Sequence, residues 1–207
     1  LDSGQSNHGS AVGGVTLVPG KVGTGFGFDG TGYVTIPHHP SLNNSNALTI
    51  ELWYKSTQSN DVYYGILDKR TGAVGANYGI NVAASVGLGV YYDDLTVQDG
   101  DDTPYGSSFE ASRYAPAPEP GGFHHLAATY FQTSNNQVRL ETYLDGQLVR
   151  TKFINGNLGN TLNTAPVTIG ATANGAGEFF QGVIDEVSIY NRALSGPEIQ
   201  SIYLADS

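Results

Sequence analysis

Short runs in which apolar and polar residues alternate constrain the fold of this chain more than any other feature. In the run at 48–55, LTIELWYK, every second residue from Leu48 to Tyr54 falls on one side of an extended strand. Glu51 and Trp53 fall on the other side, and the pattern leaves open whether Trp53 is a core residue or faces out from a concave sheet. The alternation predicts a strand with one buried face.

Similar short runs, separated by turn-forming residues, extend along most of the chain. We expect GFGFDG and YVTIP to pair around Gly30-Thr31-Gly32, and Asp145–Gly146 to form the type I′ turn of a hairpin. The other predicted strands are YYGILDK, YGINVAA, VGLGVYYD, FHHLAATYF, APVTIGA and GVIDEVSIY. The pattern predicts one all-β domain over residues 1–207, a two-sheet antiparallel sandwich of jelly-roll type.

One short helix is predicted at the C-terminal end. Ser195 and Glu198 have the spacing of a capping box, and Ile199, Ile202 and Tyr203 form one apolar stripe. This helix is expected to pack against the sandwich.

Composition excludes several classes of function. The net charge of −10 opposes binding to nucleic acid, which needs clustered Lys and Arg. The chain has no Cys, so disulfides and Cys-ligated zinc are excluded, and no apolar run is long enough to insert into a membrane. Because the chain begins with Leu1, we expect a processed chain or a domain cut from a larger protein.

Three segments carry a family resemblance. The FDG turn at 28–30, the YLDG hairpin at 143–146 and the ending IDEVSIYNRAL, in this order, resemble the concanavalin A-like laminin-G family of secreted bacterial proteins. Phe123 departs from the pattern, because the family usually has Trp there. The opening DSGQSNHG also resembles the family's usual start, so we expect a nearly complete domain. The resemblance implies a concanavalin A-like β-sandwich that serves as a binding or adhesion module, and many such modules bind Ca²⁺.

Signatures of catalysis are absent from the sequence pattern. Retaining glycosidases of this fold need two carboxylates on one face of a strand, whereas Asp185 and Glu186 are adjacent and point to opposite faces. No cluster typical of polysaccharide lyases is evident, and the His38–His39 and His124–His125 pairs lack the spacing of a zinc site. We therefore expect a module that is not an enzyme.

A structural calcium site is the expected cofactor site, mainly because of the resemblance. The oxygen-rich segment at 2–9 suits a hard cation. We place Asp185 on one face with Val183, Val187 and Ile189, where a buried carboxylate needs a partner. That partner is Arg192, backbone amides at a sheet edge or Ca²⁺, and we favour the metal. The predicted ligands are Asp2, Asn7, Asp29 and Asp185.

The segment from Tyr91 to Tyr114 is predicted to be a long functional loop. Tyrosines that stack on sugar rings and acids that accept from hydroxyls favour a neutral glycan, although the composition also fits a solvated acidic loop or a second calcium site. The expected ligand-binding residues, including a second segment near residue 64, are Tyr63, Tyr64, Arg70, Tyr91, Tyr92, Asp93, Asp94, Tyr105 and Arg113.

These features predict a carbohydrate-binding or adhesion module of a secreted or cell-surface protein. We expect a monomeric domain beside other domains of a larger chain, attached to a polysaccharide-degrading enzyme. Two alternatives stay open: a protein-binding or structural domain of a surface adhesin, and a polysaccharide lyase or hydrolase of the same fold.

Overall fold

The computed structural model describes residues 7–58, 62–71, 75–83, 87–93, 109–115, 120–134, 136–172 and 174–206. Residues 83, 87–93 and 109–115 are described by their backbone alone. No helix in the described part of the chain has the length and apolar character needed to cross a membrane.

Most strands and the helix follow the predicted order, but the strands at residues 10–12 and 109–115 were not predicted. The strands are β1 (Ser10–Val12), β2 (Val15–Pro19), β3 (Thr24–Asp29), β4 (Tyr33–Ile36), β5 (Ala47–Ser56), β6 (Tyr64–Arg70), β7 (Ala76–Ala83), β8 (Gly87–Asp93), β9 (Phe109–Ala115), β10 (His124–Ser134), β11 (Gln137–Leu144), β12 (Gln147–Asn155), β13 (Val167–Ile169) and β14 (Gln181–Tyr190). The helix is α1 (Gly196–Asp206).

The described strands form two antiparallel sheets of seven strands each. The first sheet has the order β1-β4-β13-β6-β7-β8-β9, and the second has the order β12-β11-β10-β5-β14-β3-β2. Their inner faces pack against each other, with Ile50, Ile66, Ile80, Leu126 and Leu140 all 0% exposed. The predicted jelly-roll sandwich is confirmed.

The predicted hairpin between β11 and β12 is confirmed in detail. Asp145 and Gly146 have φ values of 49° and 73°, the left-handed conformations that a type I′ turn requires. The Asp145 carboxylate also accepts the backbone amide of His125 at 2.9 Å and lies 2.8 Å from His124 Nδ1. The turn therefore anchors the start of β10.

The expected pairing of GFGFDG with YVTIP is wrong. β3 pairs with β2 and β14 in the second sheet, whereas β4 pairs with β1 and β13 in the first. The chain crosses between the sheets at Thr31, whose amide and hydroxyl both donate to the Asp29 carboxylate at 2.8 and 2.7 Å. The short turn thus changes sheets instead of closing a hairpin.

The predicted faces of β14 are partly wrong, because the strand contains a bulge. The register shifts between Asp185 and Ser188, and Glu186 takes a φ of 49°. Val187 and Ile189 pack on the core, but Asp185 lies on the opposite, outer face, across from Trp53. Because the bulge adds one residue, odd-numbered side chains face outward before it and inward after it.

Helix α1 covers part of the outer face of the second sheet. The Ser195 amide and hydroxyl both donate to the Glu198 carboxylate at 2.8 Å, which is the carboxylate half of the predicted capping box. Leu194 and Ile199 are buried there against Ala127 and Tyr143. The helix therefore has its own small apolar core, separate from the core of the sandwich.

Candidate functional site

Most of the predicted ligand-binding residues belong to neighbouring strands of the first sheet. Tyr63 and Arg70 flank or end β6, and β7, β8 and β9 follow it in the sheet order. Asp68 lies opposite Gly79, and Gly79 lies opposite Tyr91 on the next strand. The sheet therefore brings together predicted residues that are far apart in the sequence.

Arg70 is positioned by a buried carboxylate. Asp68 lies on the outer face of β6, because its neighbour Leu67 belongs to the core. Its Oδ2 atom is 3.4 Å from Arg70 Nε, and the two side chains are 1% and 9% exposed. This ion pair fixes the guanidinium at one end of β6.

Tyr63 is positioned in a similar way at the other end of β6. Asn81, on the outer face of β7, donates from Nδ2 to the Tyr63 hydroxyl at 2.5 Å. Asn81 is 2% exposed, whereas Tyr63 is partly exposed. Each of these two predicted binding residues therefore has a buried polar partner on the same face of the sheet.

Tyr64 does not belong to the binding surface, contrary to our expectation. It is 1% exposed, its ring packs 5.5 Å from the ring of Phe180, and its hydroxyl donates to Ser56 Oγ at 3.2 Å. Burial raises the pKa of the Tyr64 hydroxyl. The side chain enters the sandwich core, so it cannot touch a surface ligand.

Lys69, between Asp68 and Arg70, is fully buried at the end of the sandwich. Its Nζ donates to the carbonyl and side-chain oxygens of Asn163 at 2.8 and 2.9 Å and to the Ala165 carbonyl at 2.9 Å. Burial lowers its pKa to about 8. These hydrogen bonds hold the segment before β13 against β6. The Lys69 ammonium is therefore not a ligand-binding group.

Four predicted residues lie in β8 and β9, where the backbone register is known. Tyr91 pairs with Ala111, Tyr92 with Glu110, and Asp93 with Phe109. Arg113 lies within β9, so part of the predicted loop is a strand. The run FEASRYA pairs along β8, but the acidic sequence before it gave the whole segment the appearance of a loop. Asp94 and Tyr105 lie outside the described residues.

The described members of the predicted calcium set do not converge on one point. Asp29 lies opposite Gln181 on β14, four residues before Asp185, which corresponds to roughly 13 Å along the strand. Asn7 donates to Ser41 Oγ at 3.3 Å, and Asp2 lies outside the described residues. In the described ranges, no group of three His, Asp or Glu side chains could hold a metal ion. Asp29 and Asp185 therefore do not fit a shared calcium ion.

Asp185 is satisfied by backbone amides, one of the three options that the sequence left open. The Val22 amide donates to its Oδ2, and the Glu186 amide donates to its Oδ1, both at 3.0 Å. A Cβ atom on Gly20 would lie 2.2 Å from Oδ2, so the turn rests directly on the carboxylate. The carboxylate attaches the segment before β3 to the bulge of β14.

Trp53 is buried under helix α1 and is 2% exposed, so it belongs neither to the sandwich core nor to an open concave face. The Tyr203 ring stacks 5.6 Å away, and Lys21 Nζ lies 4.4 Å from the indole centre. His125, also buried, contacts Trp53 edge-on and lies 3.1 Å from Glu51 through Nε2. One histidine of the pair is therefore buried and hydrogen-bonded, as the alternation of FHHLAATYF predicts.

A groove that sequence reasoning missed lies on the outer face of the second sheet. It has a volume of about 440 Å³ and runs over Gly27, between Thr16 on β2 and Val183 on β14. Lys55 and Asp29 line its polar parts. A Cβ atom on Gly27 would lie 2.9 Å from Val18 Cγ1, so glycine in the middle of β3 lets the Val18 side chain of β2 pack closely over the strand. Only the strand register makes this signal readable.

Comparison with solved structures shows the same fold. Domain 4 of the extracellular arabinanase AbnA from Geobacillus stearothermophilus, solved with arabinotriose, superposes with a TM-score of 0.73 at 18% identity, covering 98% of this chain and 91% of that chain. The binding domain of Paraclostridial Mosquitocidal Protein 1 gives a TM-score of 0.70 at 15% identity, covering 98% of this chain and 48% of that one.

A structure of botulinum neurotoxin type C, whose cell entry depends on two ganglioside molecules, gives a TM-score of 0.71 at 16% identity. It covers 100% of this chain and 48% of the toxin chain, so this chain spans about half the length of both toxin structures. No curated protein matches by sequence. A family model described as the concanavalin A-like lectin/glucanases superfamily, Laminin_G_3, matches residues 28–200. The chain therefore belongs to this laminin-G family of the concanavalin A-like lectin/glucanases superfamily.

Proposed function

We propose that the chain is a non-catalytic glycan-binding module of an extracellular protein, with its site on the outer face of the first sheet. The observation that carries the proposal is the paired positioning of Tyr63 by Asn81 and of Arg70 by Asp68. Fixed side chains of this kind lose little conformational freedom when a ligand binds, which favours affinity.

The geometry suits a sugar chain that lies along the strands. Tyr63 and Arg70 stand near opposite ends of β6, roughly 20 Å apart by strand rise. Gly79 lies between Asp68 and Tyr91 in register, so the middle of the face carries no side chain at that point. An aromatic ring and a guanidinium give a sugar both a stacking surface and hydrogen-bond donors.

The similar structures support this proposal with their own ligands. The arabinanase domain was solved with arabinotriose, and the type C neurotoxin interacts with two gangliosides. Extracellular localisation and attachment to a polysaccharide-degrading enzyme are part of the same proposal, as is a calcium ion bound through the N-terminal segment that contains Asp2 and Asn7. Asp29 and Asp185 are not among the ligands of that proposed ion.

Calorimetric titration with soluble arabinan, xylan, β-glucan and galactomannan tests the proposal. Tyr63→Ala should weaken binding about two- to tenfold, the range for one lost aromatic contact. Leu17→Ala, at a residue 72% exposed on the edge of the second sheet, is the matched control and should bind normally. Absence of binding to every polysaccharide, or equal affinities for all three proteins, would refute the proposal.

A protein ligand is the second candidate function. A related toxin binding domain, botulinum neurotoxin DC, was solved with rat synaptotagmin II at a TM-score of 0.68 and 13% identity. Specific capture of one protein by the wild type and not by Tyr63→Ala, together with flat glycan titrations, would favour this function. Release of reducing sugar or unsaturated uronate from the same polysaccharides would instead indicate an enzyme.

A further inference from the structure

Three exposed side chains form a row across the second sheet, on the face that points away from the first sheet. Phe131 of β10 lies opposite Arg139 of β11, and Arg139 lies opposite Phe153 of β12. Their neighbours Tyr130, Leu140 and Ile154 belong to the sandwich core, so the row itself faces outward. We call Phe131, Arg139 and Phe153 the aromatic row.

The aromatic row is exposed, although two of its members are large apolar residues. Phe131 is 41% exposed, Phe153 is 56% exposed, and the Arg139 side chain is 38% exposed. The two rings and the guanidinium therefore form one continuous surface instead of scattered single residues. Exposed patches of this kind mark interaction sites more often than isolated apolar residues do.

The central arginine is held in place by its neighbours. Its guanidinium carbon lies 5.5 Å from the centre of the Phe131 ring, and its Nε lies 3.6 Å from a Glu141 carboxylate oxygen. The hydroxyls of Thr129 and Tyr143 donate to the other oxygen of Glu141 at 3.3 and 2.9 Å. The Glu141 carboxylate therefore has several partners of its own and orients Arg139 between the two rings.

Polar side chains flank the aromatic row on both sides. On one side, two residues along each strand from the aromatic row, Glu141 lies opposite Thr129 and Thr151. In the other direction, Gln137 lies opposite Asn155 and, beyond a bulge in β10, opposite Ser134. An apolar strip bordered by hydroxyl, amide and carboxylate groups matches a sugar ring, which has apolar faces and a rim of hydroxyls.

The dimensions favour an extended chain of sugars. Phe131 and Phe153 are separated by two strand spacings, about 10 Å, which is comparable to one disaccharide unit in an extended polysaccharide. Rings at this separation can stack on alternate sugars of one chain. The net charge of −10 opposes a polyanion, so the matching ligand is neutral.

A protein partner fits the aromatic row less well. Stable protein interfaces bury about 800 Å² on each partner, which is more than one row of three side chains offers. Pairing through the neighbouring edge of β12 is also disfavoured, because Arg150 and Lys152 place charges on that edge strand.

We propose that the aromatic row is a second glycan-binding surface, which stacks on the rings of an extended neutral polysaccharide. The inference rests on glycan binding as the proposed function, but it uses a different sheet and different residues. Because the two proposed surfaces face away from each other, one domain could bind two polysaccharide chains at once.

Affinity electrophoresis in gels containing arabinan, xylan, β-glucan or galactomannan tests the proposal. We expect Phe131→Ala and Phe153→Ala each to weaken retardation by a polysaccharide that retards the wild type, and the double variant to lose about tenfold or more in affinity. Leu148→Ala, at a residue 52% exposed on the same strand β12, is the matched control. Thermal melts must show that the variants are folded.

The outcomes separate the two proposals. If the aromatic-row variants bind as the wild type does while Tyr63→Ala binds more weakly, the second surface is refuted and the proposed function stands. If no polysaccharide retards the wild type, both are refuted. If the aromatic-row variants change only the sedimentation coefficient of the free protein, the row is a contact between copies and the inference fails.

Discussion

The carboxylate of Asp185 accepts the backbone amide of Val22 at 3.0 Å, across 163 positions of the chain. The contact joins the turn before β3 to the bulge of β14, and the Glu186 amide satisfies the other carboxylate oxygen. Because both oxygens have amide partners, the structure accounts for a mostly buried acid without a metal ion.

Substitution of Asp185 by Asn should destabilise the fold by about 1–3 kcal/mol, because the side chain can no longer accept both amides in the same geometry. Urea denaturation measures the loss. Glu186→Gln, at the exposed neighbouring position, is the control and should change stability by less than about 0.5 kcal/mol.

The same pair of variants tests calcium. We expect the destabilisation by Asp185→Asn to be equal in EDTA and in excess Ca²⁺. A wild-type melting temperature that falls in EDTA while that of Asp185→Asn does not would assign Asp185 to a metal site and contradict the amide interpretation. If EDTA lowers the melting temperature of both proteins equally, calcium binds at a site without Asp185, as proposed for the segment that contains Asp2.

Replacement of Lys69 by Met should cost about 3 kcal/mol or more at neutral pH, because the three oxygens of Asn163 and Ala165 lose their charged donor inside the protein. Urea denaturation of both proteins measures this difference. Lys152→Met, on the edge strand β12, is the control for loss of a positive charge and should have a much smaller effect.

The stability contribution of Lys69 should also depend on pH. Its pKa is about 8 in the folded protein, below the value of about 10.4 expected in the unfolded chain. Between these values the unfolded chain binds more protons, so stability from this group increases as the pH rises. The wild type should therefore gain stability relative to Lys69→Met from pH 8 to pH 10. If the stability difference between the wild type and Lys69→Met instead shrinks over this pH range, the three acceptors favour the charged ammonium in the folded protein.

Trp53 is the single tryptophan of the chain, so its fluorescence reports on helix α1. Ile199→Ala removes the most buried residue of the helix and should cost about 2–5 kcal/mol. We expect the folded protein to emit at short wavelength. In a urea titration, the Trp53 emission of Ile199→Ala should shift to the red at a lower urea concentration than that of the wild type. Leu204→Ala, at a position 62% exposed, should leave the transition unchanged.

Acid should weaken the start of the same helix. The Glu198 carboxylate accepts from Ser195 and lies 2.8 Å from Arg192 Nη1, and these contacts lower its pKa to about 2. Stability from this group is present above the unfolded pKa of about 4.3 and is lost as the pH falls toward 2. Glu198→Gln should show less acid sensitivity in Trp53 emission than the wild type. Glu178→Gln, at an exposed position, should behave as the wild type does.

Local sequence patterns predicted the features that depend on neighbouring residues. Asp145–Gly146 specified its turn, and Ser195 and Glu198 specified the start of α1, because in both cases the interacting groups are close in sequence. The alternation around Trp53 also predicted the two faces of β5 correctly. It could not predict that a helix would cover the polar face.

Pairing partners and bulges could not be predicted in the same way. Nothing local distinguishes a turn that closes a hairpin from one that crosses between sheets, so β3 and β4 were paired wrongly. The positive φ of Glu186 depends on its strand neighbours, and it reversed the face of Asp185. Tyr64 is of a residue type common in sugar-binding sites, but its packing against Phe180 places it in the core.

The position of β14 has a consequence for how the chain acquires its structure. β14 lies between β5 and β3, so the second sheet consists of two unjoined parts until residues 181–190 are available. A growing chain on the ribosome therefore cannot close this sheet before residues 181–190 have been synthesised. Folding should begin late and involve contacts distant in sequence, which makes it slow compared with helical proteins of similar size.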